Sequence, residues 1–316
     1  MNFDIVRKHR SGPKRSYINM RYTDDILDKL LVVLATATTP EPSGMVLIGD
    51  SGVGKSSIIS LFASEANKEL DNEKAVIRVH THNVRTLNAI YTSVLQSLGD
   101  IAPAKGKEHE KRLRIIALIA NLNVQMIFFD DFHHVVEQRG REAARAIVDE
   151  IKMIKEESHV ATVFVGVKSL ANVGLINEQI DTRYNAIVEI PALNIKSEDD
   201  VKDLRAFLTS YIDHHGIKLS FDIKTMDNIY HVYAATRGVL RVIVNLIKTA
   251  KLLADNEGCE VVTKTHFKRV IETASLRHLR VSKNKKQTAQ DDIIYQNTTV
   301  TPFSSSVTAI KSAIGL

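Results

Sequence analysis

Gly49-Asp50-Ser51-Gly52-Val53-Gly54-Lys55-Ser56 is the stretch on which the reading of this chain turns. It fits the template Gly, four free positions, Gly-Lys, then Ser or Thr, which builds a phosphate-binding loop between a strand and a helix. The flanks agree. Met45-Val46-Leu47-Ile48 is an apolar run of strand length, and from Ser57 to Ala66 the residues Ile58, Ile59, Leu61 and Phe62 supply the apolar face of a helix. Gly49, Gly52 and Gly54 let the backbone turn tightly with no Cβ in the way. Successive N–H groups can then point at phosphate oxygens, at the positive end of the following helix. Lys55 is placed to bridge the β and γ phosphates, and Ser56 to offer its hydroxyl to Mg²⁺. The expected nucleotide contacts are therefore Gly49, Asp50, Ser51, Gly52, Val53, Gly54, Lys55, Ser56 and Ser57.

A second stretch completes the motif. Met126-Ile127-Phe128-Phe129 is buried-strand material and ends in Asp130-Asp131. In ATPases with a phosphate loop, an acid at the end of such a strand holds Mg²⁺ and a neighbouring acid orients or deprotonates the attacking water. Asp130 fits the first place and Asp131 the second. Further strands are expected at Ala75–Val79, Val160–Val167 and Ile187–Ile190, with helices at Asp24–Ala35 (capped by Thr23), Thr86–Leu98 and Arg141–Ile154. Strands alternating with helices predict an α/β fold with a parallel sheet covered on both faces.

From Ser197 the pattern changes. Asp199–Asp213, Thr225–Ala235, Val239–Asn256 and Thr265–Thr273 read as helices with little strand signal between them. The expected organisation is a basic arm over 1–22, an α/β nucleotide-binding core over 23–195, a small helical lid over 196–276 and a polar, basic tail over 277–316. Arg7, Lys8, His9, Arg10, Lys14 and Arg15 crowd the arm. It reads either as a solvated segment or as a surface that docks on DNA or a partner. The tail reads either as a flexible segment or as a partner-binding peptide that orders in a complex.

Bulk composition narrows the class. The chain has 316 residues with 42 basic against 37 acidic, a net +5 that permits a polyanionic partner without requiring one. The single cysteine, Cys259, excludes an intrachain disulfide and points to a reducing compartment. No run is long and apolar enough to span a membrane, and Met1–Arg10 lacks the apolar core of a secretory signal, so a cytoplasmic location is expected. His80 and His82, His133-His134 and His214-His215 form pairs, but no cysteine or acid completes a spacing typical of zinc.

The ordered set of motifs resembles the AAA+ ATPases, and within them the TniB/TnsC family. Arg15-Ser16-Tyr17-Ile18, the phosphate loop, Phe128-Phe129-Asp130-Asp131-Phe132-His133-His134, Val163-Phe164-Val165-Gly166 and Thr182-Arg183-Tyr184 carry the likeness, over roughly residues 15–275. The resemblance implies an AAA+ core followed by a helical lid, ATP and Mg²⁺ as cofactors, and an ATP-dependent regulator of DNA transposition. It implies a homo-oligomeric ring or helical filament on double-stranded DNA, which links a TniQ-type target-selection protein to a transposase.

Several residue roles come only with the resemblance. Arg183 sits where related ATPases carry an arginine finger that completes a neighbouring subunit's site; its alternative is a surface loop arginine. Arg241 could touch the γ-phosphate from the lid or serve no such role. Arg85 stands at the place of a DNA-contacting Lys of the family, Lys105 and Lys107 lie in the following connector, and Arg139 and Arg141 follow the Asp130-Asp131 strand; each alone reads as a solvated surface charge, whereas their placement in three loops on one rim points to contact with DNA phosphates. Two departures point to slow hydrolysis. Asp131 stands where the family usually has Glu, which pulls the carboxylate back by about 1.5 Å, a scale to which catalytic geometry is sensitive. Val167 stands where a polar sensor is usual, so either Lys168 substitutes or that sensor is missing. Two rival readings remain open: a replication initiator or helicase loader of the same architecture, and a nucleotide-gated scaffold that binds ATP without significant turnover.

Overall fold

The computed structural model describes residues 20–37, 39–139, 141–172, 184–272 and 302–315. They divide into two compact units, one running through Tyr22–Pro191 and the other through Ala192–Leu316.

The first unit is built on five strands: β1 (Gly44–Gly49), β2 (Val76–His80), β3 (Met126–Asp130), β4 (Ala161–Gly166) and β5 (Tyr184–Ile190). Every pairing is parallel, and the order across the sheet is β2-β3-β4-β1-β5. β1, β3 and β4 are buried along their whole length. That is why they read as unbroken apolar runs rather than as alternating ones. The helices are α1 (Arg21–Ala35), α2 (Lys55–Glu69), α3 (Leu87–Leu98), α4 (Glu108–Asn121), α5 (His133–Arg139) and α6 (Arg141–Ser158). On one face of the sheet Val46, Val79, Phe129 and Phe164 pack with Ile90, Leu95, Ile115 and Ile151. On the other, Phe128 meets Phe62 of α2 edge-to-face at 5.9 Å.

Two local details differ from the sequence reading. Thr23 lies inside α1 and is buried, so it does not cap that helix. The expected loop after β3 contains a helix, α5. Phe132 N–H donates to Val165 O at 2.9 Å, and His134 and Val135 turn back onto the carbonyls of Asp131 and Phe132 at 3.1 Å each. The β3 end is thereby stitched to β4, and the chain coils at once.

The second unit is helical: α7 (Glu198–His214), α8 (Met226–Thr236), α9 (Leu240–Asn256) and α10 (Lys264–Glu272). Ser197 starts α7 through a capping box with Asp200, its hydroxyl accepting from Asp200 N–H at 3.1 Å. An isolated parallel bridge joins Leu219 to Val262. The sequence reading runs the polar tail to the end of the chain, but its last described stretch folds as α11 (Val307–Ile314). The reason is a helical spacing of Val307, Ile310 and Ile314 hidden in a Thr/Ser-rich composition. Ser306 caps the helix by accepting from Ala309 N–H at 3.3 Å, and Ile310 is wholly buried. Ahead of it, Phe303 stacks on His231 of α8 at 5.1 Å, and its N–H donates to His231 Nδ1 at 2.9 Å.

Candidate functional site

The strand order brings the carboxyl ends of β1, β4 and β3 side by side. The chain leaves β1 and crosses β4 and β3 to reach β2, so this edge is where a crevice opens in an open α/β sheet.

The loop after β1 is shaped from below and from within. A Cβ on Gly49 would lie 2.6 Å from the Ile190 carbonyl oxygen, so only glycine fits where β1 meets β5. Gly54 takes φ +99° and starts α2, with Ser57 and Ile58 N–H donating to its carbonyl at 3.0 Å each. Val53 is buried beneath the loop. Lys55 is buried too, and its ammonium curls back to donate to the carbonyls of Gly49 and Asp50 at 2.8 Å each. Asp50 is half-buried, while Ser51 and Ser57 are exposed.

Ser56 joins the two halves of the site. Its hydroxyl donates to Asp130 Oδ2 at 2.9 Å across 74 residues of sequence. Asp130 is wholly buried and accepts a second bond on Oδ1, from Asp131 N–H at 3.0 Å. Its backbone carbonyl is held by Thr81, from both N–H (3.0 Å) and hydroxyl (2.7 Å). Asp131 adopts φ +59°, a left-handed conformation that aspartate tolerates better than most residues, and is half-buried.

At the end of β4, Val167 is half-buried and presents no polar atom. The neighbouring Lys168 is exposed and pairs with Glu189 at 2.8 Å and with Asp50 of the phosphate loop at 3.4 Å. The Glu189 hydrogen bond raises the Lys168 amine above its ordinary range, against the opposing effect of burial, and Asp50 adds to the rise.

The model for the "Bacterial TniB protein" family matches residues 12–192. The chain belongs to the TniB family.

A curated relative, the ORC1-type DNA replication protein 2 of Sulfurisphaera tokodaii, is 23% identical over 235 residues, covering 71% of this chain and 55% of the relative. The TniB chain thus spans about half the length of that protein. Among solved structures, the Aeropyrum pernix ORC1 protein in complex with DNA superposes with a TM-score of 0.63 at 18% identity, over 96% of this chain and 84% of that one. The Aeropyrum pernix ORC2 protein, in ADPNP–ADP complexes, gives 0.62 at 13% identity over 85% and 74%. At these identities the likeness is one of fold, and the fold is that of the AAA+ ATPases.

The structure places the remaining sequence candidates as follows. Arg85 is exposed, two residues ahead of α3 and just past the carboxyl end of β2. Lys105 and Lys107 are exposed in the loop before α4. The start of α4 returns to the start of α3. Lys111, which is buried, donates to Asn88 Oδ1 at 2.7 Å and Thr92 Oγ1 at 2.9 Å. An open depression there is lined by Asn88, Gly106, Lys107, Glu108 and His109, all of them exposed. Lys107 therefore shares an end of the first unit with Arg85. Arg139 closes α5 and Arg141 opens α6, beyond the carboxyl end of β3. Arg241 is exposed in the first turn of α9, in the second unit. Arg183 lies outside the described residues.

Sequence reasoning missed Arg78 and Thr81, which bond Asp130, and Ser60, which holds the Arg78 guanidinium. A lone arginine between Ile77 and Val79 in an apolar strand was the available signal. Elsewhere, Glu257, Cys259 and His266 offer ligand atoms within 4.8 Å of one another. His266 Nδ1, however, accepts Thr263 N–H at 3.0 Å, and Glu257 is paired with both Arg269 and His266 Nε2. This group serves to start α10 and holds its ring in the wrong tautomer for a metal at Nε2. No helix among the described residues is long and apolar enough to cross a membrane.

Proposed function

We propose that this TniB chain is an ATP-dependent, DNA-binding regulator of DNA transposition, which assembles with copies of itself on duplex DNA and connects a TniQ-type target-selection protein to a transposase. The observation that carries the reading is the junction of Lys55, Ser56 and Asp130 at the carboxyl edge of the sheet, in a chain of this family. In this reading 23–195 is the nucleotide-binding core, 196–276 a lid and the protein cytoplasmic.

The donor set suits the cofactors. Ser56 and Asp130 present a hydroxyl and a carboxylate already joined at 2.9 Å, the hard oxygen ligands that Mg²⁺ takes alongside phosphate. They would hold Mg²⁺, which when bound neutralises charge on the β and γ phosphates. Gly49 through Ser57 would cradle the phosphates, and the Lys55 ammonium would exchange its two carbonyl acceptors for phosphate oxygens. Asp131 would orient the attacking water and a neighbour's Arg183 would stabilise transferred charge. Arg241 would approach the γ-phosphate from the lid. The short Asp131, the apolar Val167 and the commitment of Lys168 to two carboxylates favour slow turnover. Arg85, Lys105, Lys107, Arg139 and Arg141 would contact DNA phosphates, which gives salt-sensitive binding without sequence preference.

Phosphate release with and without duplex DNA tests the enzyme reading. Slow, DNA-stimulated release that Lys55→Ala abolishes supports it; ATP binding with no release favours the nucleotide-gated scaffold. The 23% identity to an ORC1-type replication protein keeps a second reading in view, an initiator or helicase loader. Co-purification with the transposase, as against a replicative helicase, separates the two.

A further inference from the structure

Asp130 is a wholly buried carboxylate with three donors on its two oxygens. Besides Ser56 and the Asp131 N–H, its Oδ2 accepts from Arg78 Nη2 in an ion pair, with the acid side chain 0% and the arginine 27% exposed. Arg78 comes from β2, the strand beside β3, where His80 is the residue in register with Asp130. The guanidinium is fixed on its other side as well. Nη1 donates to Ser60 Oγ at 3.1 Å, and Ser60 in turn donates to the Ser56 carbonyl at 2.7 Å. One arginine thus ties the buried acid to the helix that carries Ser56.

We propose that Arg78 is a resident cation of the nucleotide site, which neutralises Asp130 in the ligand-free protein and makes nucleotide binding largely independent of Mg²⁺. The inference rests on the reading of Ser56 and Asp130 as the Mg²⁺-holding pair. A buried carboxylate without a counter-charge gains strongly from a dication. Here a guanidinium already supplies the positive charge on the same oxygen, and a second cation on that oxygen meets repulsion that the protein interior screens poorly. The metal is not excluded. Arg78 keeps part of its side chain in solvent and Ser60 as an alternative partner, so the guanidinium can yield. What falls is the share of nucleotide affinity that the metal contributes.

The test is binding of a fluorescent ATP analogue, mant-ATP, to the full-length chain, once in excess MgCl₂ and once in excess EDTA. In the wild-type protein chelation is expected to weaken binding by less than about threefold, whereas in Arg78→Met it weakens binding by about tenfold or more. Arg78→Lys, which keeps the charge, should stay close to wild type. Arg78→Gln, which keeps a neutral donor for the acid but removes the charge, should raise the Mg²⁺ dependence in the same direction as Arg78→Met. It carries the test if Arg78→Met does not fold. An unchanged ratio of the two affinities in Arg78→Met, or in Arg78→Gln where the former is unfolded, overturns the proposal. A wild-type protein that binds no mant-ATP even with MgCl₂ overturns the nucleotide-site reading itself, and is thereby told apart.

Discussion

The Asp130–Arg78 pair sets up a measurement on the ligand-free protein. In Asp130→Asn the amide nitrogen or oxygen must face donors from both Ser56 and Arg78, and the guanidinium loses its counter-charge. Breaking a buried ion pair from one side costs about 3–5 kcal/mol. Arg78 is 27% exposed, so water recovers part of the loss, and we expect about 2–3 kcal/mol. Arg78→Met is the harsher change. It strands a carboxylate with no solvent contact on two neutral donors, at a cost of about 3–4 kcal/mol. In the double variant no charge remains to be stranded. Its loss should be about 3–4 kcal/mol instead of the additive 5–7, a coupling of about 2–3 kcal/mol. Urea unfolding of the four full-length proteins, followed by far-ultraviolet circular dichroism, reads each term. Additivity to within about 0.5 kcal/mol would refute the claim that the two groups form one buried unit.

Three further outcomes are expected. Gly238 sits at φ +71°, and a Cβ there would lie 1.7 Å from the Leu193 carbonyl oxygen; Gly238→Ala should therefore lose about 3 kcal/mol or more, seen as a lower thermal midpoint of the second unit, and an unshifted midpoint would contradict the contact. Burial, and then the charge of Lys264, depresses His231 below its ordinary value of 6.5, with Asp227 opposing. Its Nδ1 must stay unprotonated to accept from Phe303 N–H, so docking of 302–315 is fully supported above pH 6.5 and weakens as pH falls through the lower folded value. Hydrogen exchange in that segment should speed up on acidification beyond the intrinsic rate, and His231→Leu should remove the extra pH dependence. Charge reversal at Arg85 and Lys107 should weaken duplex binding for all sequences alike, and each lost phosphate contact should lower the salt slope by about 1; an unchanged slope would remove them from the DNA surface.

The strands that read as plain apolar runs were the legible part of the fold. β1, β3 and β4 are buried on both faces, so burial wrote itself into every position and no register had to be guessed. The loop after β1 was legible because each residue type answers one demand, as Gly49 does under the Ile190 carbonyl. Helix α5 was not, since it starts from a bond between Phe132 N–H and the β4 carbonyl of Val165, a partner distant in sequence. Helix α11 was obscured because two apolar turns among Thr and Ser carry a weaker signal than a cap and a long amphipathic face. In the candidate site, Ser56 and Asp130 follow from motif chemistry, but Arg78 does not. A strand arginine looks like a solvated edge residue until the pairing of β2 with β3 sets it beside the acid.

The central claim is that nucleotide held after β1 joins one copy of this chain to the next on duplex DNA. Mass photometry of the full-length protein with a duplex, in the presence and absence of a slowly hydrolysed ATP analogue, tests it most directly. The account predicts many subunits per duplex only when the analogue is present, and none of this assembly for Lys55→Ala. A wild-type protein that stays a single copy with both ligands saturating, or a Lys55→Ala protein that assembles equally well, would contradict it.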